Sequence, residues 1–88
     1  MYYLYVLKCA DGTLYTGITL DVKKRVGEHN TSDKLGARYT RSRRPVHLVY
    51  KKEAGDESAA KSEEYRFKQL SRVAKLALLK AKKQRKIL

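Results

Sequence analysis

Residues 2–19 read YYLYVLKCADGTLYTGIT and consist of two short runs rich in aromatic and β-branched residues, separated by a turn signal. The first run, residues 2–9, has the composition of a β-strand. Asp11-Gly12 favours a tight turn, because glycine tolerates the positive φ that hairpin turns require. Residues 13–17 continue as a second strand, so this stretch predicts an antiparallel hairpin.

Helices and a third strand are predicted outside the hairpin. Asp21 is a candidate N-cap for the first helix, and Ser58 is the expected cap of the second. An apolar stripe that includes Phe67 and Leu70 marks the buried face of the second helix. The predicted elements are a helix over 22–30, a basic loop over 31–45, a strand over 46–53, and helices over 59–72 and 73–83.

The order of these elements is β-β-α-β-α-α. With 88 residues, the chain is long enough for one compact domain. We therefore expect an α/β (α+β) fold in which helices flank a three-stranded, mainly antiparallel sheet. The single domain is expected over 1–88, with a core over 1–83 and a basic tail over 84–88.

The charge of the chain is strongly positive. Lys and Arg total 21 against 9 Asp and Glu, which gives a formal net charge of +12. This excess favours a polyanionic partner, with nucleic acid ahead of an anionic membrane surface. A solvated basic surface without a specific partner is the ordinary alternative.

The composition also limits other classes of protein. Cys9 is the single cysteine and His29 and His47 are the two histidines, which argues against an internal disulfide and against a metal cage built from protein ligands alone. No segment reaches the roughly 18 apolar residues of a membrane span. The N-terminus alternates like a strand and has no basic leader. We therefore expect a cytoplasmic protein without a membrane partner.

Two pairs of residues are candidates for chemistry. Tyr5 and Tyr15 lie on paired strands, where the two-residue period can bring both phenols to one face of the sheet. Arg25 and His29 lie four residues apart on the first helix, and arginine offers a forked set of donors that fits phosphate. Each pair has an ordinary alternative, namely half-buried strand tyrosines and a solvated helix edge.

Glu63 and Glu64 are consecutive acids on a helix that is otherwise basic. They flank the apolar stripe, and periodicity does not choose between them; surface charge balance is the alternative role for either. A carboxylate, an arginine, and a tyrosine or histidine together suit phosphodiester cleavage. In that reaction a divalent cation and an arginine stabilise charge on the phosphate while a base takes a proton from water.

The segments YLY at 3–5 and YTG at 15–17 resemble the motif pair that names the GIY-YIG nuclease superfamily. The stretches YVLKCADGTLYTGIT, KKRVGEHN, GARYTRSRRPVHLVY and EYRFKQLSR are similar to the small stand-alone bacterial proteins of the YhbQ type, over nearly the full length of the chain. Tyr3 replaces the first glycine of the motif pair and Thr16 replaces an isoleucine. Beyond Asn30, no counterpart of an asparagine found late in many members is evident.

This resemblance implies a divalent-metal-dependent endonuclease that acts on DNA, with Mg²⁺ or Mn²⁺ as cofactor. Glu64, rather than Glu63, is the implied metal ligand. Tyr15 is the expected general base, with Tyr5 orienting it and His29 in support, and Arg25 is expected to stabilise the phosphate. The catalytic residues that the resemblance implies are thus Tyr5, Tyr15, Arg25, His29 and Glu64.

Contact with nucleic acid is expected of the basic loop and the last helices, or of a partner protein that supplies specificity. Gly17 is expected to let backbone and phosphate approach closely. Two alternatives stay open, namely a non-catalytic nucleic-acid-binding module and a nuclease subunit that cuts only with a partner protein. The residues expected to contact nucleic acid are Gly17, Lys24, Lys34, Arg38, Arg41, Arg43, Arg44, Lys68 and Arg72.

Overall fold

The structure of the protein is a computed structural model that describes residues 1–87, with side chains described for residues 1–80. The predicted order of elements is confirmed, with one additional short helix in the segment predicted to be a loop. The elements are β1 (Tyr2–Lys8), β2 (Leu14–Thr19), α1 (Val22–Thr31), α2 (Arg38–Arg41), β3 (His47–Gly55), α3 (Glu57–Gln69) and α4 (Arg72–Ile87).

The three strands form one antiparallel sheet in the order β2-β1-β3. The predicted hairpin joins β1 to β2, and its turn contains Gly12 with a φ of +84°. In the register of this hairpin, Tyr5 lies opposite Gly17 and Leu7 lies opposite Tyr15. The central position of β1 explains its apolar composition, because both of its faces are covered.

Each face of the sheet carries its own core. On one face, Leu4 and Val6 pack with Phe67 of α3. On the other face, Tyr5 and Leu7 lie in a cluster together with residues of α1. The fold therefore has three layers, and the predicted catalytic tyrosines lie on the face that α1 covers.

The segment between α1 and β3 is more ordered than a loop because Arg44 ties it to the end of α1. The Arg44 guanidinium donates to the carbonyl oxygens of His29 at 2.6 Å and Ser32 at 3.0 Å, and to the Asp33 carboxylate at 2.9 Å. The bond to His29 satisfies a carbonyl that the helix leaves without a partner at its C-terminus, whereas the Ser32 carbonyl also accepts from the Gly36 amide at 2.9 Å. Gly36 allows the close approach, because a Cβ there would lie 2.6 Å from the Ser32 oxygen.

Asn30 fixes the start of the third strand. Its side-chain amide donates to the Val46 carbonyl at 3.0 Å, and its oxygen accepts from the Val46 amide at 2.8 Å. This two-bond pairing imitates a strand ladder between a helix residue and the residue before β3. Asn30 therefore has a structural role in this chain.

Two details of α3 differ from the sequence prediction. The cap is Asp56 instead of Ser58, since the Asp56 carboxylate accepts from the Ala59 amide at 2.8 Å and the helix begins at Glu57. Leu70 is 39% exposed and lies past the end of the helix, so the buried stripe ends at Phe67. Asp56 lies two residues before Ser58, and its short side chain accepts from the unpaired amides at the start of the helix.

The last helix, α4, begins at Arg72, whose guanidinium donates to the Gly12 carbonyl at 3.3 Å. The side chains on which the predicted division between a core over 1–83 and a tail over 84–88 depends lie outside the described residues. No helix in the described part of the chain is long and apolar enough to cross a membrane.

Candidate active site

Tyr5 is almost completely buried, at 1% exposure, and its ring lies across Gly17 of the neighbouring strand. A Cβ on Gly17 would lie 2.6 Å from the Tyr5 hydroxyl oxygen and 2.8 Å from the ring carbon that bears it. The phenol therefore occupies the space that the missing side chain leaves. This packing accounts for Gly17, while its predicted contact with nucleic acid stays a prediction.

Tyr15 lies beside Tyr5 and is partly open to solvent. The centroids of the two rings are 6.5 Å apart, which confirms that the hairpin brings both tyrosines to one face. Tyr15 also contacts the edge of the His29 ring at 5.1 Å between centroids and stacks on Tyr39 at 5.9 Å. The two tyrosines thus differ in exposure although they are neighbours.

His29 is fully buried and connects α1 to Tyr5. Its Nε2 lies 2.8 Å from the Tyr5 hydroxyl, and its Nδ1 lies 2.8 Å from Oγ1 of Thr40. Burial first, and then the nearby charge of Arg25, lower the pKa of His29 from 6.5 to about 4. At neutral pH the ring is therefore uncharged and has one donor and one acceptor nitrogen.

The hydrogen bonds around Thr40 favour one arrangement of those two roles. Thr40 Oγ1 lies 3.0 Å from the Ala37 carbonyl, which accepts only, so the single hydroxyl proton points there. His29 Nδ1 then donates to Thr40, and Nε2 accepts from the Tyr5 hydroxyl. The competing contact, from the Ala37 amide to Nδ1, is long at 3.5 Å. His29 is therefore placed to hold the proton of Tyr5.

Arg25 lies at the edge of the same face, with its side chain 27% exposed. It donates to the Glu28 carboxylate at 3.0 Å and to the Leu35 carbonyl at 2.5 Å. Burial raises the pKa of Tyr5 to about 12, and the guanidinium opposes this effect from beside the phenol. A guanidinium has five N–H groups, so these contacts leave donors for a ligand.

Glu64 lies on α3, and its charge reaches Tyr5. Its charge contributes to the raised pKa of Tyr5, after burial and the nearer groups, so the carboxylate lies within electrostatic reach of the phenol. Its ion-pair partner is Lys68, at 3.4 Å. Glu63 instead pairs with Lys52 at 3.2 Å and with Arg66 at 2.5 Å, and its charge is not among those that shift the pKa of Tyr5. The structure thus separates two acids that periodicity left equivalent.

Comparison with known proteins gives the family. The model of the GIY-YIG catalytic domain matches residues 1–77. The chain belongs to the GIY-YIG family. The GIY-YIG domain is that of a nuclease superfamily whose members act on nucleic acid.

Relatives and a solved structure agree with this family. A UPF0213 protein of Desulfotalea psychrophila is 56% identical over 80 residues, covering 91% of this chain and 72% of that protein. A UPF0213 protein of Halobacterium salinarum is 53% identical over 78 residues, covering 89% and 99%. The solution NMR structure of a UPF0213 protein of Bacillus halodurans matches with a TM-score of 0.59 and 41% identity, over 93% of this chain and 86% of that chain.

The basic residues of this GIY-YIG domain fall into two groups. Arg44 holds the end of α1, Arg41 donates to the Asp33 carbonyl at 3.1 Å, and Arg43 pairs with Asp11 at 3.0 Å. Lys68 and Arg72 also have partners within the domain. By contrast, three of the cations predicted to contact nucleic acid are exposed and make no side-chain hydrogen bond or ion pair with any described residue. They are Lys24, Lys34 and Arg38.

The donor set fits only a cation that keeps much of its own hydration. Residues 1–80 contain no group of three or more His, Cys, Asp or Glu side chains that could hold a metal ion. Glu64 is a partly exposed carboxylate, at 25%, whose charge reaches the Tyr5 phenol. Mg²⁺ usually keeps several waters and binds through one or two carboxylates together with phosphate oxygens. A single carboxylate at the rim of the site is compatible with that mode.

Tyr39 and Thr40 were missed by the sequence analysis. They occupy a basic segment whose composition predicts surface loop, and neither residue type is by itself a signal of a site. Thr40 is fully buried and Tyr39 is 38% exposed. Their contacts depend on a helix of only four residues, Arg38–Arg41. A helix this short leaves no periodic pattern in the sequence that could reveal it.

Proposed function

We propose that this domain is an endonuclease that hydrolyses phosphodiester bonds in DNA and depends on Mg²⁺ or Mn²⁺. The observation that carries the proposal is the convergence of Tyr5, Tyr15, Arg25 and His29 on one face of the sheet, with Glu64 at its rim. Packing alone does not require a guanidinium, a neutral imidazole and two phenols at one place, since apolar side chains would fill the same volume.

Tyr15 is the group that we assign as general base. Tyr5 is buried, its pKa is about 12, and its proton is held by His29, so it is poorly placed to deprotonate a water molecule. Tyr15 is partly open to solvent and lies next to that pair. In its deprotonated form Tyr15 takes a proton from water as the water oxygen bonds to phosphorus, and the scissile P–O bond breaks with its electron pair going to the leaving oxygen.

The other residues hold the phosphate and the tyrosines. Arg25 has free N–H groups for the non-bridging oxygens, where negative charge increases as the water attacks. His29 and Tyr5 form a neutral, buried pair that fixes the inner wall of the site. Glu64 would hold the divalent cation, which, when bound, stabilises charge on the phosphate and the leaving oxygen. Lys24, Lys34 and Arg38 have free charges for the flanking backbone phosphates.

Incubation of the purified protein with single-stranded, duplex and branched DNA tests this proposal. Each substrate is combined with Mg²⁺, Mn²⁺ or EDTA, and Glu64→Ala and Tyr15→Phe are assayed beside the wild type. We expect metal-dependent cutting that both variants lose while they still bind DNA. Binding without cutting on every substrate, with a steep dependence on salt, would instead indicate a binding module. Cutting that appears only after a cell extract is added would indicate a subunit that needs a partner.

A further inference from the structure

We propose that α2 is a positioning element of the catalytic site, in which Tyr39 holds the ring of Tyr15 and Thr40 holds the ring of His29. This inference rests on the proposed function for its meaning in catalysis, although its structural content can be tested separately. The two residues are consecutive, and each contacts a different member of the predicted site. α2 belongs to the segment 31–45, which the sequence predicted to contact DNA. In this inference the same segment forms the outer wall of the site.

Tyr39 is held between two groups. Its ring stacks on Tyr15 with centroids 5.9 Å apart and an angle of 28° between planes, and the guanidinium carbon of Arg43 lies 4.0 Å from the ring centroid. Stacking and cation–π contacts of this kind favour one orientation of the ring over others. Because Tyr15 and Arg43 already contact this ring, the Tyr39–Arg43 pair is a structural clamp and not an open stacking platform for a nucleotide base.

The clamp is anchored to the hairpin that carries Tyr15. Arg43 forms an ion pair with Asp11 at 3.0 Å, and its carbonyl accepts from the Ala10 amide at 2.9 Å. Arg43 also donates to the Tyr39 carbonyl at 2.9 Å. The β1–β2 turn and α2 are thus joined at several points, so the position of Tyr39 follows that of the strand next to it. This arrangement explains why an exposed tyrosine has a defined place.

Thr40 contacts His29 on the buried side of α2. Its hydroxyl is fully buried, donates to the Ala37 carbonyl and accepts from Nδ1 of His29. These two bonds fix both the rotation of the imidazole and the nitrogen that faces Tyr5. A valine has nearly the same shape and lacks the hydroxyl, so it would leave Nδ1 buried without a partner.

The test uses two pairs of variants and a matched control. Tyr39→Ala removes the ring and Tyr39→Phe keeps it, while Tyr65→Ala removes a tyrosine that is 67% exposed on α3. We expect Tyr39→Ala to lower kcat by about 10- to 100-fold with little change in KM, because the DNA-binding charges remain while Tyr15 is displaced. Tyr39→Phe should restore most of kcat, and Tyr65→Ala should match the wild type.

Thr40→Val and Thr40→Ser form the second pair. Nitrogen-15 shifts of the His29 ring report which nitrogen carries the proton; we expect Thr40→Val to change that tautomer and Thr40→Ser to preserve it. In carbon-13 NMR spectra, Tyr39→Ala should move the Tyr15 ring resonances and leave those of Tyr50 in place. Equal kcat for Tyr39→Ala and Tyr65→Ala, or unchanged His29 shifts in folded Thr40→Val, would overturn the inference.

The NMR measurements keep the two proposals apart. If the wild type cuts no DNA, the proposed function fails, yet the Tyr15 and His29 resonances still decide whether α2 positions these rings. If the wild type cuts and the resonances do not respond to either pair of variants, the proposed function stands and the role of α2 is overturned.

Discussion

The Tyr5 hydroxyl and Nε2 of His29 share a hydrogen bond of 2.8 Å, and both side chains are withdrawn from solvent. The bond joins the central strand to the helix that covers it. Burial keeps both groups neutral, because it raises the pKa of the phenol to about 12 and lowers the pKa of the imidazole to about 4. A pair of this kind stabilises the domain only while His29 remains unprotonated.

Stability should therefore fall between pH 6.5 and pH 4. In the folded protein the pKa of His29 is below its value in the unfolded chain, so the unfolded state binds the proton more tightly in this range. The contribution of His29 is complete above pH 6.5 and is lost as the pH falls through about 4. The loss amounts to as much as about 3 kcal/mol, at about 1.4 kcal/mol per pH unit.

Urea unfolding at half-unit pH steps from 7.5 to 4.0 measures this effect, with His29→Gln as the control that cannot titrate. The variant starts from a lower stability because it disturbs a buried site, so the comparison uses the slope and not the absolute value. The charged neighbours of His29, namely Arg25, Arg44 and Glu28, are present in both proteins. Parallel slopes for wild type and variant would contradict the assignment.

Gly17→Ala should destabilise the domain by about 1–3 kcal/mol, because the new Cβ would overlap the Tyr5 phenol. Gly27→Ala is the matched control, since nothing lies within 4 Å of its Cβ position and Gly27 is an exposed residue of α1. That change should stabilise the protein by up to about 1 kcal/mol, the difference in helix propensity. Thermal and urea unfolding measure both; equal effects of the two substitutions would exclude the clash.

The sequence was sufficient for the hairpin and for the pairing of its tyrosines. Alternation and a turn glycine fix which residues of β1 and β2 share a face, so the proximity of Tyr5 and Tyr15 followed from local pattern. The choice of Asp56 over Ser58 as a cap did not follow, since both are good capping residues and the difference lies in where the chain leaves β3.

The basic segment, residues 31–45, shows why the contacts of individual cations could not be predicted from the sequence. Composition treats its five cations alike, yet Arg44 binds carbonyls of α1 and Arg43 binds Tyr39 and Asp11. Those partners are distant in sequence, and they are selected only when α1, the hairpin and α2 come together. Charge indicated a nucleic-acid surface, and tertiary structure decided which charges are free to form it.

Arg44→Ala should therefore affect mainly the stability of the domain and Arg38→Ala mainly its binding to DNA, although each removes one positive charge. Arg44→Ala leaves the His29 carbonyl at the end of α1 without its Arg44 partner, while the Ser32 carbonyl keeps the Gly36 amide, and the change should cost about 1–3 kcal/mol of stability. Arg38→Ala should change stability by less than about 0.5 kcal/mol. It should weaken DNA binding and reduce the slope of log affinity against log salt by about 1.

Urea unfolding and fluorescence anisotropy with labelled DNA at several salt concentrations provide these values. Both variants are measured at a temperature where Arg44→Ala remains folded. If Arg44→Ala unfolds like the wild type, its bonds to α1 have no net stabilising effect. If Arg38→Ala keeps the wild-type salt slope, its free charge does not contact phosphate.

Glu64→Gln and Glu63→Gln form the last matched pair, since they are consecutive on α3 and each loses one negative charge. Glu63 makes ion pairs with Lys52 and Arg66, and exposed pairs of this kind contribute about 0–1 kcal/mol. Glu63→Gln should therefore retain metal-dependent cutting. Glu64→Gln should lose it, because the amide is a weaker ligand than the carboxylate that lies within reach of Tyr5.

Mn²⁺ titration followed by NMR gives a measurement that is independent of cutting. The paramagnetic ion should broaden resonances of Tyr5, Tyr15 and Arg25 in the wild type and in Glu63→Gln, at similar concentrations. Glu64→Gln should need at least about tenfold more Mn²⁺, a change of roughly 1.4 kcal/mol in binding free energy. Broadening that disappears in Glu63→Gln instead would place the cation on the Lys52 side of α3 and separate it from the tyrosines.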